Sequence, residues 1–432
     1  MNKDTNRYSK STEMLKRAER VIPLGSQTFS KSRIQFPVGS SPMFLTHGKR
    51  GRVWDVDNNM YVDLVSGLLP VVLGYRDPDV DEAVKRQLEN GISFSMATEL
   101  EIQLAERLVE IIPCAEMVRF GKNGSDATSG AVRLSRAITG RDRIAAGGYH
   151  GWQDWYIGAT TRNKGVPKSV CELTHKFQYN RIDTLYTLFK KYPGEFAAVI
   201  MEPMNSIEPY PGYLQEIKEI THRNGALFIL DEIITGFRFS LGGAQEFFGV
   251  TPDLAAFGKS MGNGMPISAI VGKAKYMRSM EEVFFSSTFG GETLSLAASI
   301  AVIDKMRREP VIENLWSIGE KLAASVSHKI YSYGLDQVIF LEGKPCWKLI
   351  KINDHPNADK HMIKTFFIIK MIAGGVLINS SHNVCYAHTT EDLEIVDKAY
   401  DDTLKNLSQG LENSSIVNQL GNQIIRPIFS VR

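Results

Sequence analysis

The sequence predicts an α/β protein: a large domain built on a mainly parallel, seven-stranded type of sheet between helices, plus a smaller α+β domain. Three observations carry that prediction. Helical and strand patterns alternate from about residue 79 to about residue 290, as they do in parallel sheets covered by helices. The runs AAVIMEP and ALFILDE are continuously apolar and end in acids, as strands buried on both faces are. From about residue 295 the pattern changes to helices separated by short apolar strands.

Residues 1–75 read as an N-terminal arm and a small-domain segment, 76–300 as the large domain, 301–410 as the C-terminal small domain and 411–432 as a tail. A chain of 432 residues can bury a sizeable core in each of two domains. The arm segment SQTFSKSRIQFPVGSSP is polar, with Gly and Pro punctuation. RVWDVDNNMYVDLV places two apolar runs around Asp57, Asn58 and Asn59, a hairpin signal. ELEIQLAERLVEII sets Leu100, Leu104, Leu108 and Ile111 at helical spacing. TLSLAASIAVIDKMRRE is a helix leading into the small domain, which takes EKLAASVSHKI, KPCWKLIKI, GGVLI and the final helix EDLEIVDKAYDDTLKNL. TFFIIKMIAGGVLI is the most apolar stretch, yet it holds Lys370 and a Gly-Gly break. It reads as a buried helix running into a strand, too short to span a bilayer. The tail ends in IIRPIFSVR.

Composition narrows the function classes. With 43% apolar and 23% charged residues the chain is ordinary for a folded protein. Fifty basic against 48 acidic residues give a net charge of +2, which offers no electrostatic case for nucleic acid. The start MNKDTNRYSK lacks the apolar core of a signal peptide. Cys114, Cys171, Cys346 and Cys385 are scattered without CxxC spacing and read as free thiols in a reducing compartment. The expectation is a cytoplasmic protein with no membrane partner and no metal site.

The chemistry concentrates in a few segments. Lys259 lies in AFGKSMGNGMP, after the apolar approach Leu254-Ala255-Ala256-Phe257 and before a glycine-rich exit. An apolar surround lowers a lysine's pKa and suits a Schiff base with pyridoxal phosphate (PLP). The Gly258-Lys259-Ser260 triplet is no P-loop, because the glycine required five positions earlier is Asp253. Asp231, in ILDEIITGFR, ends a strand. It either caps the next element or holds the proton on the cofactor's pyridine nitrogen. In KNGSDATSGAVRLSRAITGR, Gly124, Ser125 and Asp126 open a helix with Ala127, Ala131, Leu134 and Ile138 on one face. Its first N–H groups and the Ser125 hydroxyl form either a phosphate cradle or a plain cap by Ser125 or Asp126. In GGYHGWQDW, Tyr149 can stack on a cofactor ring and His150 can orient it, or the pair simply packs. SSTFGGETLSLAAS sets Thr288 before a second glycine turn and helix entry.

Taken in this order, these segments resemble the class III aminotransferases of PLP fold type I, nearest to the glutamate-1-semialdehyde 2,1-aminomutase group. The likeness runs from about Pro23 to about Leu404. It is carried by RVWDVDNNMYVDL, ATELEIQLAERL, NGSDATSGAVRLSRAITGR, YHG, GVPK, IMEP, LDEIITGFR, GVTPDLAAFGKSMGNGMPISA and YAHTTEDLE. The resemblance implies that Lys259 forms the Schiff base and moves a proton between substrate and cofactor carbons. It implies that Asp231 pairs with the pyridine nitrogen, with Ile233 under one ring face and Tyr149 over the other. Ser125, with the Gly124 and Ser125 backbone, would hold the phosphate, and Glu202 would lie near the phenolic oxygen. Thr288 would reach the cofactor phosphate of a partner subunit, which makes the active unit a homodimer. The cofactor would alternate between pyridoxal and pyridoxamine 5'-phosphate.

The substrate contacts depart from that pattern. The aminomutases carry a carboxylate-binding arginine in the N-terminal segment, and here LGSQTFSKSRIQFPVG leaves either Lys31 or Arg33 in that place. Near the C-terminus NSSHNVCYAHT is shorter than the family's turn, with Asn383 nearest to its acid. No arginine there could clamp a 2-oxoglutarate carboxylate. An intact cofactor site with an altered pocket predicts an aminotransferase with an amino-acid donor and a less acidic or larger ketone or aldehyde acceptor, such as a sugar-derived one. The other reading is an intramolecular aminomutase.

Overall fold

Strand Phe196–Met201 buries all 6 of its residues, and Leu227–Asp231 and Leu254–Phe257 bury every one of theirs. Strands can be apolar on both faces only where a layer covers each. That is the architecture found. The structure, a computed structural model, describes residues 7–421 and 423–426; the predicted polar start MNKDTN and the terminal PIFSVR lie outside the described residues.

The buried strands belong to a seven-stranded sheet. Its order is Met117–Gly121, Ser268–Gly272, Leu254–Phe257, Leu227–Asp231, Phe196–Met201, Arg143–Gly147, Thr174–Lys176. Strands from Leu254–Phe257 through Thr174–Lys176 run parallel, and Ser268–Gly272 is antiparallel to both neighbours. Alternation along each strand fills both faces. Ile200 and Ile229 share a cluster with Ala127, Ala131 and Leu134 of helix Gly124–Thr139. Val199, Phe228 and Leu230 cluster on the other side with Leu185 and Phe189 of Ile182–Lys191, and with Leu214 and Ile217 of Tyr213–Arg223. Each Leu or Ile side chain so buried contributes about 1.5–3 kcal/mol. The helix expected over ELEIQLAERLVEII forms from Glu99 to Ile111; it buries Leu104 and Leu108 and leaves Leu100 and Ile111 half covered.

One end of this sheet is specialised. Four adjacent parallel strands deliver Gly147, Met201, Asp231 and Phe257 to their carboxyl ends, in a register that sets Gly147 beside Met201 and Asp231 beside Ala256. In such sheets ligands bind beyond those ends. All of this lies in one compact unit, residues 78–312.

The other unit takes residues 7–77 and the described residues from 313 onward. Its first sheet is an antiparallel ladder of Leu45–Lys49, Arg52–Asp55 and Met60–Asp63, joined in parallel by Val376–Leu377. The predicted hairpin turns at Asn58, whose φ is 65°, while Asp55 Oδ1 accepts from the Asp57 and Asn59 N–H groups. Asn tolerates that left-handed conformation better than most residues. Helix Lys360–Ala373 runs into Val376–Leu377, as TFFIIKMIAGGVLI predicts. Ile339–Glu342, Lys348–Ile352 and Ser381–His382 make a second sheet. Arg52 pairs with Asp392 at 2.5 Å and Glu391 at 3.1 Å, tying helix Thr390–Glu412 to the hairpin. Burial pushes the Asp392 carboxyl up, but the Thr389 N–H and Arg52 hold it below its ordinary value. Among the described residues no helix is long and apolar enough to cross a membrane.

Candidate active site

Lys259 follows the last residues of a fully buried strand, and it opens the short turn Lys259–Gly262 with φ at 41°. A non-glycine residue in the left-handed region costs roughly 1–3 kcal/mol and persists where the surroundings fix it. Here a buried strand fixes one side and the Met261 N–H bond to Gly258 O fixes the other. Gly258 sits so close that a Cβ there would meet Ile233 Cδ1 at 3.1 Å.

Asp231 ends the neighbouring strand and is 5% exposed. Its Oδ1 accepts from the Ile233 N–H at 3.1 Å, and its Oδ2 lies 2.7 Å from His150 Nδ1. His150 is itself braced. Thr128 Oγ1 donates to its carbonyl at 2.8 Å, and its ring stacks on Trp155 and meets Tyr156 edge-on. His150 Nε2 is buried with no hydrogen-bond partner among the described residues. An orphaned buried polar atom is costly, and here it lies at the edge of the site.

The adjacent acid behaves differently. Glu232 is fully buried, accepting from Thr235 Oγ1 at 2.5 Å, Ala244 N–H at 2.8 Å and Gln245 N–H at 2.7 Å. Burial pushes its carboxyl up from the ordinary value. It braces the loop before helix Ala244–Phe248, while Asp231 faces the cavity. Asp253, which rules out the P-loop, is a tie at the opposite end of the sheet; it accepts from Phe228 N–H at 2.9 Å and pairs with His222 at 2.7 Å.

Glu202 follows strand Phe196–Met201, is 4% exposed and accepts from the Tyr149 N–H at 3.1 Å. The helix Gly124–Thr139 starts at the same place. Its cap is Asn123, not Ser125 or Asp126: Asn123 Oδ1 accepts from Asp126 N–H, and Asp126 Oδ2 accepts from Lys122 and Asn123 N–H groups. That correction frees Ser125. Its hydroxyl accepts from Trp152 N–H at 3.3 Å, and the first N–H groups of the helix have no partner within it.

Gly124, Ser125, Tyr149, His150, Glu202, Asp231, Ile233 and Lys259 all line one cavity of about 210 Å³. Thr128, Gly151, Trp152 and Ile234 line it too and were not singled out from sequence. The set fits PLP. A helix N-terminus suits a phosphate, a buried carboxylate needs a cationic partner such as a protonated ring nitrogen, and Ile233 and Tyr149 offer apolar walls.

The remaining expected residues lie elsewhere. Thr288 stands exposed in the turn before helix Thr293–Arg308 and does not line this cavity. In the other unit, Arg33 is ion-paired to Glu19 at 2.6 Å. Lys31 ends the short turn Phe29–Lys31, where its charge acts on the buried Asp63. Burial raises the Asp63 carboxyl, and Tyr75, the Val65 and Ser66 N–H groups and Lys31 oppose that shift. Asn383 is 4% exposed; its Nδ2 donates to Val65 O at 2.9 Å, and its Oδ1 has no partner among the described residues.

A parallel sheet with a lysine, an aspartate and a helix N-terminus gathered at its strand ends defines a PLP-dependent enzyme of fold type I. The family profile for class-III aminotransferases matches residues 35–411, and the chain belongs to that family. It is 35% identical to a 3-aminobutyryl-CoA aminotransferase of Cloacimonas acidaminovorans (strain Evry), over 94% of this chain and 99% of that protein. It is also 35% identical to a glutamate-1-semialdehyde 2,1-aminomutase of Desulfatibacillum aliphaticivorans, over 92% and 100% respectively. Among solved structures, the PLP internal aldimine form of the FumI protein of Sphingopyxis sp. MTA144 superposes with a TM-score of 0.87 at 28% identity. That match covers 94% of this chain and 98% of the other.

Gly151 is the tighter of the two glycines that line the cavity. Its φ is +104°, and a Cβ would come within 2.2 Å of Ser125 Oγ. Gly151→Ala must displace the Ser125 hydroxyl and strain the backbone. We expect the dissociation constant for PLP to rise about tenfold or more, which is about 1.4 kcal/mol. Fluorescence titration of cofactor-stripped protein measures this, and wild-type affinity in the variant would contradict the assigned cradle.

Proposed function

We propose that this aminotransferase moves an amino group from an amino-acid donor to a ketone or aldehyde less acidic than glutamate semialdehyde. The observation that carries the reading is the convergence of Lys259, Asp231 and its partner His150 on one cavity. When bound there, PLP supplies an electron sink for charge developing on the substrate's α-carbon. Lys259 Nζ would anchor the cofactor, then take the proton from that carbon and deliver it to the cofactor's own carbon. Asp231, oriented by His150, would keep the proton on the ring nitrogen. Ser125 and the helix N-terminus would hold the phosphate, and Glu202 would serve the phenolic oxygen.

The acceptor is read from the departures. With Arg33 engaged by Glu19, Lys31 remains for a substrate carboxylate, and a lysine gives a point charge without arginine's bidentate fork. By the resemblance, the neutral Asn383 is the nearest equivalent of an acid that the aminomutases carry. Both features favour a substrate with fewer carboxylates, such as a sugar-derived carbonyl compound or the keto counterpart of a β-amino thioester like the one named for the Cloacimonas relative. The intramolecular aminomutase is the second reading, favoured by the several relatives of that name.

The active unit in this proposal is a homodimer in which Thr288 serves the partner's cofactor phosphate. Leu88, Ile92, Phe94, Met96, Phe284 and Phe289, all exposed in the unit that holds the site, support a covered face. Among the described residues the four cysteines form no disulfide with one another, which supports a reducing, cytoplasmic setting.

An absorbance titration of the PLP-loaded protein tests the reaction. L-glutamate, L-alanine, 3-aminobutyryl-CoA and 4,5-diaminovalerate are offered in turn. An ordinary amino acid should bleach the visible band of the lysine-bound cofactor and release its keto acid, and acceptors then restore the band. Conversion with 4,5-diaminovalerate alone would replace this reading with the aminomutase.

A further inference from the structure

The turn that carries Thr288 is not held at random. Three cations reach it, and all three come from the elements that build the phosphate cradle. Arg119, on the strand leading to the cradle, donates to Phe285 O at 3.2 Å; Arg133, on the cradle helix, donates to Phe284 O at 2.7 Å. Lys122, whose N–H is bound to Asp126 inside the cap, extends its Nζ to Glu292 Oε2 at 3.0 Å. Glu292 ends the turn and caps the next helix, accepting from Leu294 N–H at 2.7 Å and Ser295 Oγ at 2.6 Å. Lys122 and Glu292 are only 18% and 13% exposed, so their attraction is less screened than at an open surface. Burial pushes the Glu292 carboxyl up, but Ser295, Lys122 and the Leu294 N–H hold it below its ordinary value.

We propose that the Lys122–Glu292 pair couples the two cofactor sites of the dimer. The inference rests on the reading above that Thr288 serves the partner's phosphate. Phosphate in one cradle fixes the turn Lys122–Asp126, and Lys122 passes that order to Glu292 and the turn bearing Thr288. The partner's cofactor then meets a contact whose ordering has already been settled, which is positive cooperativity without a large rearrangement. Lys122 and Glu292 are positioning residues; neither lines the cofactor cavity.

The test is a PLP titration of the full-length, cofactor-stripped protein, with sedimentation to fix its assembly. Lys122→Met removes the charge, and Glu292→Gln keeps an acceptor for the helix cap while removing the ionic partner. Wild type is expected to fill with a Hill coefficient above one, the ceiling being about two for two sites. Either variant should bring it to one and raise half-saturation several-fold, and the double variant should do no more than a single one. An unchanged melting point of the stripped Glu292→Gln protein keeps a folding defect apart from lost coupling. A wild-type dimer that fills with a coefficient of one overturns the coupling and leaves the dimer reading standing, as do variants that retain wild-type cooperativity. A monomer overturns both.

Discussion

Lys259→Ala is expected to remove the visible band of the lysine-bound cofactor and to lower turnover by at least 10²–10⁴-fold, the range attributed to one positioned acid–base group. The further loss of the covalent anchor adds to it. The protein should remain folded. Lys259 is half-buried at the end of a completed strand, and alanine at a φ of 41° is no more strained than lysine. PLP should still bind through Ser125, Asp231 and the helix N-terminus, so equilibrium dialysis would find cofactor in a protein that lacks the band. A small primary amine added to the variant should restore part of the proton transfer. Turnover near the wild-type rate in Lys259→Ala would remove the central residue from the chemistry.

The strands and the site were legible for the same physical reason. A strand buried on both faces must be apolar throughout, so an acid at the end of ALFILDE or AAVIMEP stands out, and so does a lysine after LAAF. Alternation of strand and helix then sends all of them to one edge. What the sequence left open depends on contacts between distant segments. Which of Lys31 and Arg33 is tied down by an ion pair turns on Glu19, which lies on the preceding helix Ser9–Glu19. The bracing of His150 by Thr128, on the preceding helix, is equally non-local. The cap was misplaced for a local reason: KNGSD offers several capping side chains, and the strand exit decides which one leaves helical geometry. Asn123 three positions before Asp126 has the spacing of a reciprocal capping box, the signal that could have found it. Of the paired acids in LDE, the pleat sends only one toward the cavity, and the sequence shows no sign of which until the strand's end is fixed.

Asp231→Asn is expected to separate charge from shape. Asparagine Oδ1 can still accept from the Ile233 N–H, and its amide N–H can donate to His150 Nδ1 once the imidazole carries its proton on Nε2, so stability should change little. What it lacks is the negative charge that keeps a proton on the cofactor's ring nitrogen. Loss of one preorganised electrostatic contact costs on the order of 10²–10³ in rate, and kcat for the first half-reaction should fall by that amount while PLP remains bound. Asp231→Ala should do the same to the rate and more to the fold. It leaves His150 with both ring nitrogens unpaired in a buried position, since Nε2 already has no partner among the described residues, at about 1–3 kcal/mol. Single-turnover absorbance and thermal melting of the two variants therefore divide the residue's two roles. If Asp231→Asn reacts at the wild-type rate, the carboxylate is only a structural brace for His150, and the proton on the ring nitrogen is held by another group.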